Sequence, residues 1–461
     1  MTSTMKASMM TILRRGMIAA VCLLSIGSCS TSDILDVSIP DVIDPAVVTT
    51  PAGARALYAG ALGEFIVGVV GDNGGIEGQI LVSGSFTDEL FNSETFPTRL
   101  EYELRTIDLR NGTLLTVFRN LQRARYLSEQ SAASLQKYDP SLPYRIGESF
   151  ALAGLAYVFA GENYCSGVPF SNPFPTASYG QPLTTSQIFT TAIERFDSAM
   201  TYLTTPDTEA VLRQWLAQVG KGRALLDRGD PGDAAAAAAA VASVPDTFQY
   251  ITTHTNNSDR QRNGIYAFTK QNKRFSVADV EGSNGLNFRT ANDPRVVVTR
   301  SPANNLGFDN STPQWDPTGK YPSITANTQI ATGIEAKLII AEERLLNSPG
   351  TTDWLDTLNA LRARDIKPAM AALADPGTPA LRLDLVMRER AFWLYLTGHR
   401  LGDMRRLLRQ YGRTLQTVFP IGSATQPGAS VKGTYGTDVN LPVPFDELNN
   451  PNFTGCIDRN P

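Results

Sequence analysis

Apolar residues recur every three or four positions along much of this 461-residue chain, the period of helices that bury one face. Ile188, Ala192, Phe196, Met200 and Leu203 form one such stripe. Thr184 with Gln187 three residues on reads as a capping box at its start, and Pro206 marks its end. A second stripe carries Leu212, Trp215, Val219 and Leu226 and stops at the turn residues Gly229, Asp230, Pro231 and Gly232. Asp233 is then placed to cap the alanine run 234–240. Alanine has the highest helix propensity, so the run reads as a tightly packed helix rather than as low-complexity sequence. Residues 112–130 and 143–163 pattern as a further antiparallel pair.

The turn at 225–233 (LLDRGDPGD) returns at 345–353 as LLNSPGTTD, each followed by a helical pattern. Paired leucines, a Gly/Pro turn and an aspartate eight positions on define a helix–turn–helix unit of about 34 residues, the tetratricopeptide period. Such units bury their apolar faces only by stacking on neighbours. Residues 245–330 break the pattern, being rich in Asn, Gly, Pro and Thr, with short β-like runs such as Arg295 to Thr299. Tyr266, Phe288, Phe308, Trp315 and Tyr321 stand there in polar surroundings. A long irregular insertion in a helical array points to binding. The glycine-studded stretch 68–84 lacks dinucleotide-loop spacing and reads as a break between helices.

The amino end adds a location. Lys6, Arg14 and Arg15 precede the eleven-residue apolar run 16–26, and no acid stands before Asp33. The run fits a secretory signal and is short of the roughly 20 residues of a membrane span. Ile26-Gly27-Ser28-Cys29 resembles the bacterial lipoprotein cleavage box, making Cys29 the expected lipidated residue and membrane anchor; a plain signal with an incidental cysteine is the alternative. No later stretch is expected to span a bilayer. Loss of residues 1–28 leaves 38 basic against 45 acidic side chains, a balance that argues against nucleic acid as a partner. In an oxidising compartment the two remaining cysteines, Cys165 and Cys456, either pair or stay free.

Two histidines, His254 and His399, leave little room for histidine catalysis or metal binding. No nucleophile elbow, phosphate loop, zinc motif or calcium ladder is present, and no cofactor or metal is expected. A carboxylate pair for glycoside hydrolysis needs only two acids, so a secreted hydrolase stays open, as does an envelope scaffold that binds no nutrient. The stretch 388–406 (RERAFWLYLTGHRLGDMRR) is the densest charged cluster. Helical spacing runs from Arg388 to Thr397, with Gly398 closing it, and Arg400, Asp403 and Arg406 fall at ion-pair spacing. Long cations beside aromatics suit ion pairing between packed helices better than acid–base work. Glu389, Arg390, Arg400, Asp403 and Arg406 are therefore read as structural, and no catalytic residue is assigned.

That stretch also resembles the C-terminal ER…G.R..D..R pattern of the SusD/RagB family of outer-membrane nutrient-binding lipoproteins. Glu389, Arg390, Gly398, Arg400, Asp403 and Arg406 fill its places, while Tyr395, Leu396 and Thr397 depart from the acids usual before the glycine. NALRAR at 359–364, NDPR at 292–295 and LPVPFDELNNP at 441–451 resemble further family elements. The resemblance implies a mainly α fold, a tetratricopeptide-like helical-hairpin superhelix with a large irregular insertion carrying short β segments. In that frame residues 1–28 are the signal, 29–50 a lipidated tether and 51–461 a single domain. Its repeats fall within about 112–243 and 333–410, its ligand-facing region at about 245–330, and its extended end at 411–461. It also implies cell-surface exposure, capture of oligosaccharides or peptides, and delivery to a SusC-like TonB-dependent transporter. Composition alone puts forward Trp315, Tyr321 and Asn304 as ligand contacts.

Overall fold

The Thr184 hydroxyl accepts the Gln187 amide hydrogen and the Gln187 side chain accepts that of Thr184, so the capping box closes in both directions. The helix it starts, Thr185–Tyr202, is one of a series in the computed structural model, which describes residues 49–173 and 178–461. The signal segment, Cys29 and most of the tether lie outside the described residues. In chain order the helices of seven residues or more are α1 (Pro51–Val70), α2 (Gln79–Phe86), α3 (Pro97–Glu103), α4 (Gly112–Tyr138), α5 (Pro143–Asn163), α6 (Thr185–Tyr202), α7 (Thr208–Arg228), α8 (Asp233–Val241), α9 (Gly333–Asn347), α10 (Asp353–Asp365), α11 (Pro379–Trp393) and α12 (Arg400–Arg409). Among the described residues, strands are short and pair two by two, all antiparallel: β1 (Leu90–Asn92) with β5 (Phe275–Val277), β2 (Val168–Pro169) with β3 (Pro182–Leu183), β4 (Gln249–Thr252) with β8 (Thr328–Thr332), and β6 (Thr299–Arg300) with β7 (Trp315–Asp316).

The fold is mainly α, and the repeated turn joins α7 to α8 and α9 to α10. Neighbouring helices pack along the chain: α1 on α4, α4 on α5, α5 on α6, α6 on α7, α7 on α8, α8 on α9 and α9 on α10. The α5–α6 seam shows how close this packing is. Gly147, Gly154 and Gly161 stand seven residues apart on α5, and Leu203, Phe196 and Phe189 sit over them. A Cβ on these glycines would lie 2.6, 2.8 and 2.7 Å from those side chains. Phe196 also fills the notch at Gly220 of α7, where a Cβ would come within 2.4 Å. Ile188, Ala192 and Phe196 are fully buried, as the stripe requires.

Several local expectations are corrected. Asp233 is the first residue of α8, not its cap; Gly232 is the cap residue at φ 90°, and the Asp233 carboxylate binds Arg228 and the Asp230 amide. The stretch 68–84 is a break only at its centre, because α1 runs to Val70 and the wholly buried α2 begins at Gln79. By length and composition α1 could cross a membrane. Its charged residues are only Arg55 and Glu64, but half of the apolar stretch is buried inside the protein, with Leu57, Ala61 and Phe65 in the core. In Arg295 to Thr299 only the last residue is in a strand. Helix α11 ends at Trp393 rather than Thr397. There the Glu89 carboxylate accepts the Leu396 amide (2.8 Å) and the Glu89 carbonyl accepts the Tyr395 hydroxyl (3.1 Å), which pulls the chain out of helix. Leu396 and Gly398 take positive φ, 49° and 77°, in the resulting corner.

A disulfide joins Cys165, after α5, to Cys456, near the carboxyl end. Main-chain bonds flank it: Cys165 to Leu441 (2.9 Å), Leu441 to Asn163 (2.8 Å) and Ile457 to Ser166 (2.8 Å).

Candidate functional site

The charged stretch 388–406 turns inward. Glu389, Arg390, Asp403 and Arg406 are each less than 5 % exposed. Glu389 accepts two bonds from Arg295 (2.7 and 3.2 Å) and two from Arg362 (3.0 and 2.5 Å). The NDPR, NALRAR and RER stretches thus converge on one carboxylate. Burial alone would raise its pKa, but those guanidinium bonds hold it below the ordinary carboxylate value. Asp403 accepts two bonds from Arg390 (2.9 Å each) and one from Arg406 (2.6 Å). Arg400 does not pair with Asp403. It reaches Asp88 in a two-bond fork at 2.7 and 2.9 Å. His399 lies 3.0 Å from Glu335; burial and Arg223 lower its pKa, and burial takes His254 down to about 4. Glu389, Arg390, Arg400, Asp403 and Arg406 are thus paired with other charged groups beneath the surface. Among the described residues no three His, Cys, Asp or Glu side chains converge as a metal set.

Chemistry that faces water lies elsewhere. Ladder β1–β5 sets Asn92 opposite Phe275, and the pairing continues past it. Ser93 donates its amide hydrogen to Arg274 O (2.9 Å) and its hydroxyl to Lys273 O (2.9 Å). Phe308 donates to Lys273 O (3.0 Å), and Asp309 to Ser93 O (2.9 Å). The loop carrying Phe308 comes this close because residue 307 is glycine: a Cβ there would sit 2.5 Å from that of Ser93. Phe96, just before α3, is thereby brought beside Phe308, more than two hundred residues away in sequence.

The two rings are 47 % and 46 % exposed, with centroids 6.4 Å apart and planes at 33°. Arg274 lies over both, 4.0 Å from the Phe308 centroid and 5.0 Å from that of Phe96, with Arg99 5.3 Å from the Phe96 centroid. Such cation–ring contacts fix ring orientation. Buried Glu94 then fixes the cations, taking Arg274 at 2.5 Å and Arg99 at 2.8 Å, while Arg99 also binds Glu77. Lys432, from the carboxyl-terminal segment, binds Asp309, and Lys273 binds Asn305. A turn completes the hold on Asp309, whose carboxylate accepts the Thr312 hydroxyl (2.6 Å) and the Thr312 and Ser311 amides (2.8 and 2.9 Å). Burial would raise the Asp309 pKa, but Lys432 and these turn donors bring it to about 2. Two half-exposed aromatic rings on a fixed ionic frame, beside the part-exposed Asn305 amide and Lys273 ammonium, can stack on the apolar face of a ligand and bond its hydroxyls.

The residues put forward from composition fall in different places. Asn304 is exposed, on the loop that carries Phe308. Trp315 is half-buried in β7, with Arg289 4.8 Å from its ring. Tyr321 is a core residue whose hydroxyl donates to Leu396 O at 2.6 Å, so it faces no solvent. Phe96 escaped the sequence reading because it lies far outside the irregular insertion. The signal was an aromatic residue in the polar run Asn92 to Thr98, ahead of Pro97.

The architecture matches solved structures over nearly its whole length. A SusD homolog from Bacteroides thetaiotaomicron superposes with a TM-score of 0.65, covering 90 % of this chain and 99 % of that one at 13 % identity. The fold is that of the SusD superfamily. A SusD-like carbohydrate binding protein from Bacteroides vulgatus gives 0.55 at 13 % identity, over 77 % of this chain and 83 % of the other. A laminarin binding SusD-like protein gives 0.61 at 15 % identity, over 88 % and 99 %. No protein-family model matches the sequence, and no curated protein does. At 13–15 % identity the likeness is one of fold.

Proposed function

We propose that this chain is a SusD-family nutrient-binding protein that captures oligosaccharides at the Phe96–Phe308 surface without cleaving them. The exposed ring pair carries the reading: its orientation is held by Arg274 and Glu94, and its rim offers hydrogen-bonding groups. Structural neighbours described as carbohydrate binding and as laminarin binding support a glycan over a peptide. Delivery to a SusC-like TonB-dependent transporter, and attachment to the outer membrane through lipidated Cys29, complete the proposal. They rest on the sequence resemblance.

Isothermal titration with laminarin and a panel of other oligosaccharides tests capture. Phe308→Ala and Phe96→Ala should each weaken binding of the recognised glycan at least about tenfold, with the melting temperature kept. Unchanged affinity in both variants would remove the surface from the proposal, and release of reducing ends would refute binding without turnover. Cys29→Ala should move the protein from the membrane to the soluble fraction.

A further inference from the structure

The charges around Phe96 and Phe308 do not cancel. Glu94 and Glu77 both hold Arg99, and Glu94 also holds Arg274. Asp309 is taken by Lys432 and by the Thr312 and Ser311 donors. Glu101, two residues after Arg99 on α3, is bound instead to the Asn111 side chain (2.7 Å) and the Asp108 amide (3.2 Å). Lys270, three residues before Lys273, is closed off by Asp316. Lys273 alone of these cations has no carboxylate. Its ammonium donates to the side-chain oxygen of Asn305, a neutral group, and forms no ion pair among the described residues.

This ammonium is fixed at both ends of its side chain. Residue 273 takes a positive φ of 51°, a conformation that side chains other than glycine seldom adopt. Its carbonyl accepts the Phe308 amide (3.0 Å) and the Ser93 hydroxyl (2.9 Å), bonds of the same clasp that brings Phe308 to Phe96. Asn305, which holds the far end, stands three residues before Phe308 on the same loop. The lysine is half-buried, so it has lost part of its hydration without gaining a counter-charge. An ammonium has three donors, and among the described residues only one is used. A carboxylate would complete it, since a charge-assisted hydrogen bond is about twice as strong as a neutral one.

We propose that the oligosaccharide captured here is acidic: a uronic acid ring stacks on Phe308 and its carboxylate is taken by the Lys273 ammonium. The inference rests on the capture reading above and narrows its ligand class. The chain as a whole carries 45 acidic against 41 basic side chains, so the attraction is local to this one ammonium.

The test is isothermal titration of the full chain with oligogalacturonate, oligomannuronate and oligoguluronate, each beside its own methyl ester. At least one uronate should bind about tenfold more tightly than its ester, with the gap closing as salt rises. Lys273→Gln should erase that gap, Lys273→Arg should keep it, and Phe308→Ala should weaken acid and ester together. Esters bound as tightly as acids, with binding still lost in Phe308→Ala, overturn the carboxylate and leave capture at this surface standing. Absence of binding by these sugars and by laminarin alike overturns both. A gap that survives Lys273→Gln overturns the assignment to this lysine, and preference for a sulfated oligosaccharide over every uronate overturns the assignment to a carboxylate.

Discussion

Glu389 holds two guanidinium groups where water cannot screen or replace them. Removing one partner of a buried pair leaves the others desolvated, which costs about 3–5 kcal/mol. Glu389→Ala should lower unfolding free energy by that order in urea titration while glycan affinity in the surviving folded fraction stays unchanged. Glu89 makes a pH-dependent contribution of opposite sign to a paired carboxylate. Burial pushes its pKa from 4.5 up to about 8, against the Leu396 amide and Arg400, which act to lower it. The folded chain thus keeps a proton that the unfolded chain releases near 4.5. The associated stability is full below that pH and is lost as pH rises toward 8. Glu89→Gln should flatten the melting-temperature profile between those limits, and an unchanged slope would assign it to other groups. The same corner shows where residue-level reading stops. Spacing put Arg400 with Asp403, three residues on, yet its partner is Asp88, 312 positions away. Local periodicity carries no information about such a partner.

At the scale of elements, the period-3.6 stripe and the capping box made the start of α6 legible to the residue, while its end, read from Pro206, falls at Tyr202. Helices α1 and α2 were not, for a physical reason that α2 shows best: it is buried on every residue, so no polar face marks its period. The glycines of α5 were visible in the sequence, but their use was not, since it depends on which helix lies across them. Gly154→Leu should cost about 1–3 kcal/mol by overpacking against Phe196, although leucine favours helix. Pairing it with Phe196→Ala should recover part of the loss in thermal denaturation. Full additivity of the two variants would mean that the contact is not direct. The aromatic site was half legible. Phe308 stood out as an aromatic in polar sequence, whereas Phe96 became a neighbour only through the β1–β5 ladder and the close approach at Gly307.

At the scale of the molecule, the Cys165–Cys456 bond closes a loop of 291 positions. Cross-links over long loops stabilise by restricting the unfolded chain, typically by about 2–4 kcal/mol. Cys165→Ser with Cys456→Ser should lower the denaturation midpoint accordingly and speed hydrogen exchange at Leu441 and Ile457, whose amides bond beside the bridge. An unaltered midpoint would make the bridge dispensable. The Ser93 peptide has a different consequence. Both rings of the proposed surface hang from one clasped stretch of backbone, and neither helps to fill the core. On the proposed reading, exchanging Phe96 and Phe308 for other side chains would change the glycan that is held while the backbone clasp at Ser93 stays in place.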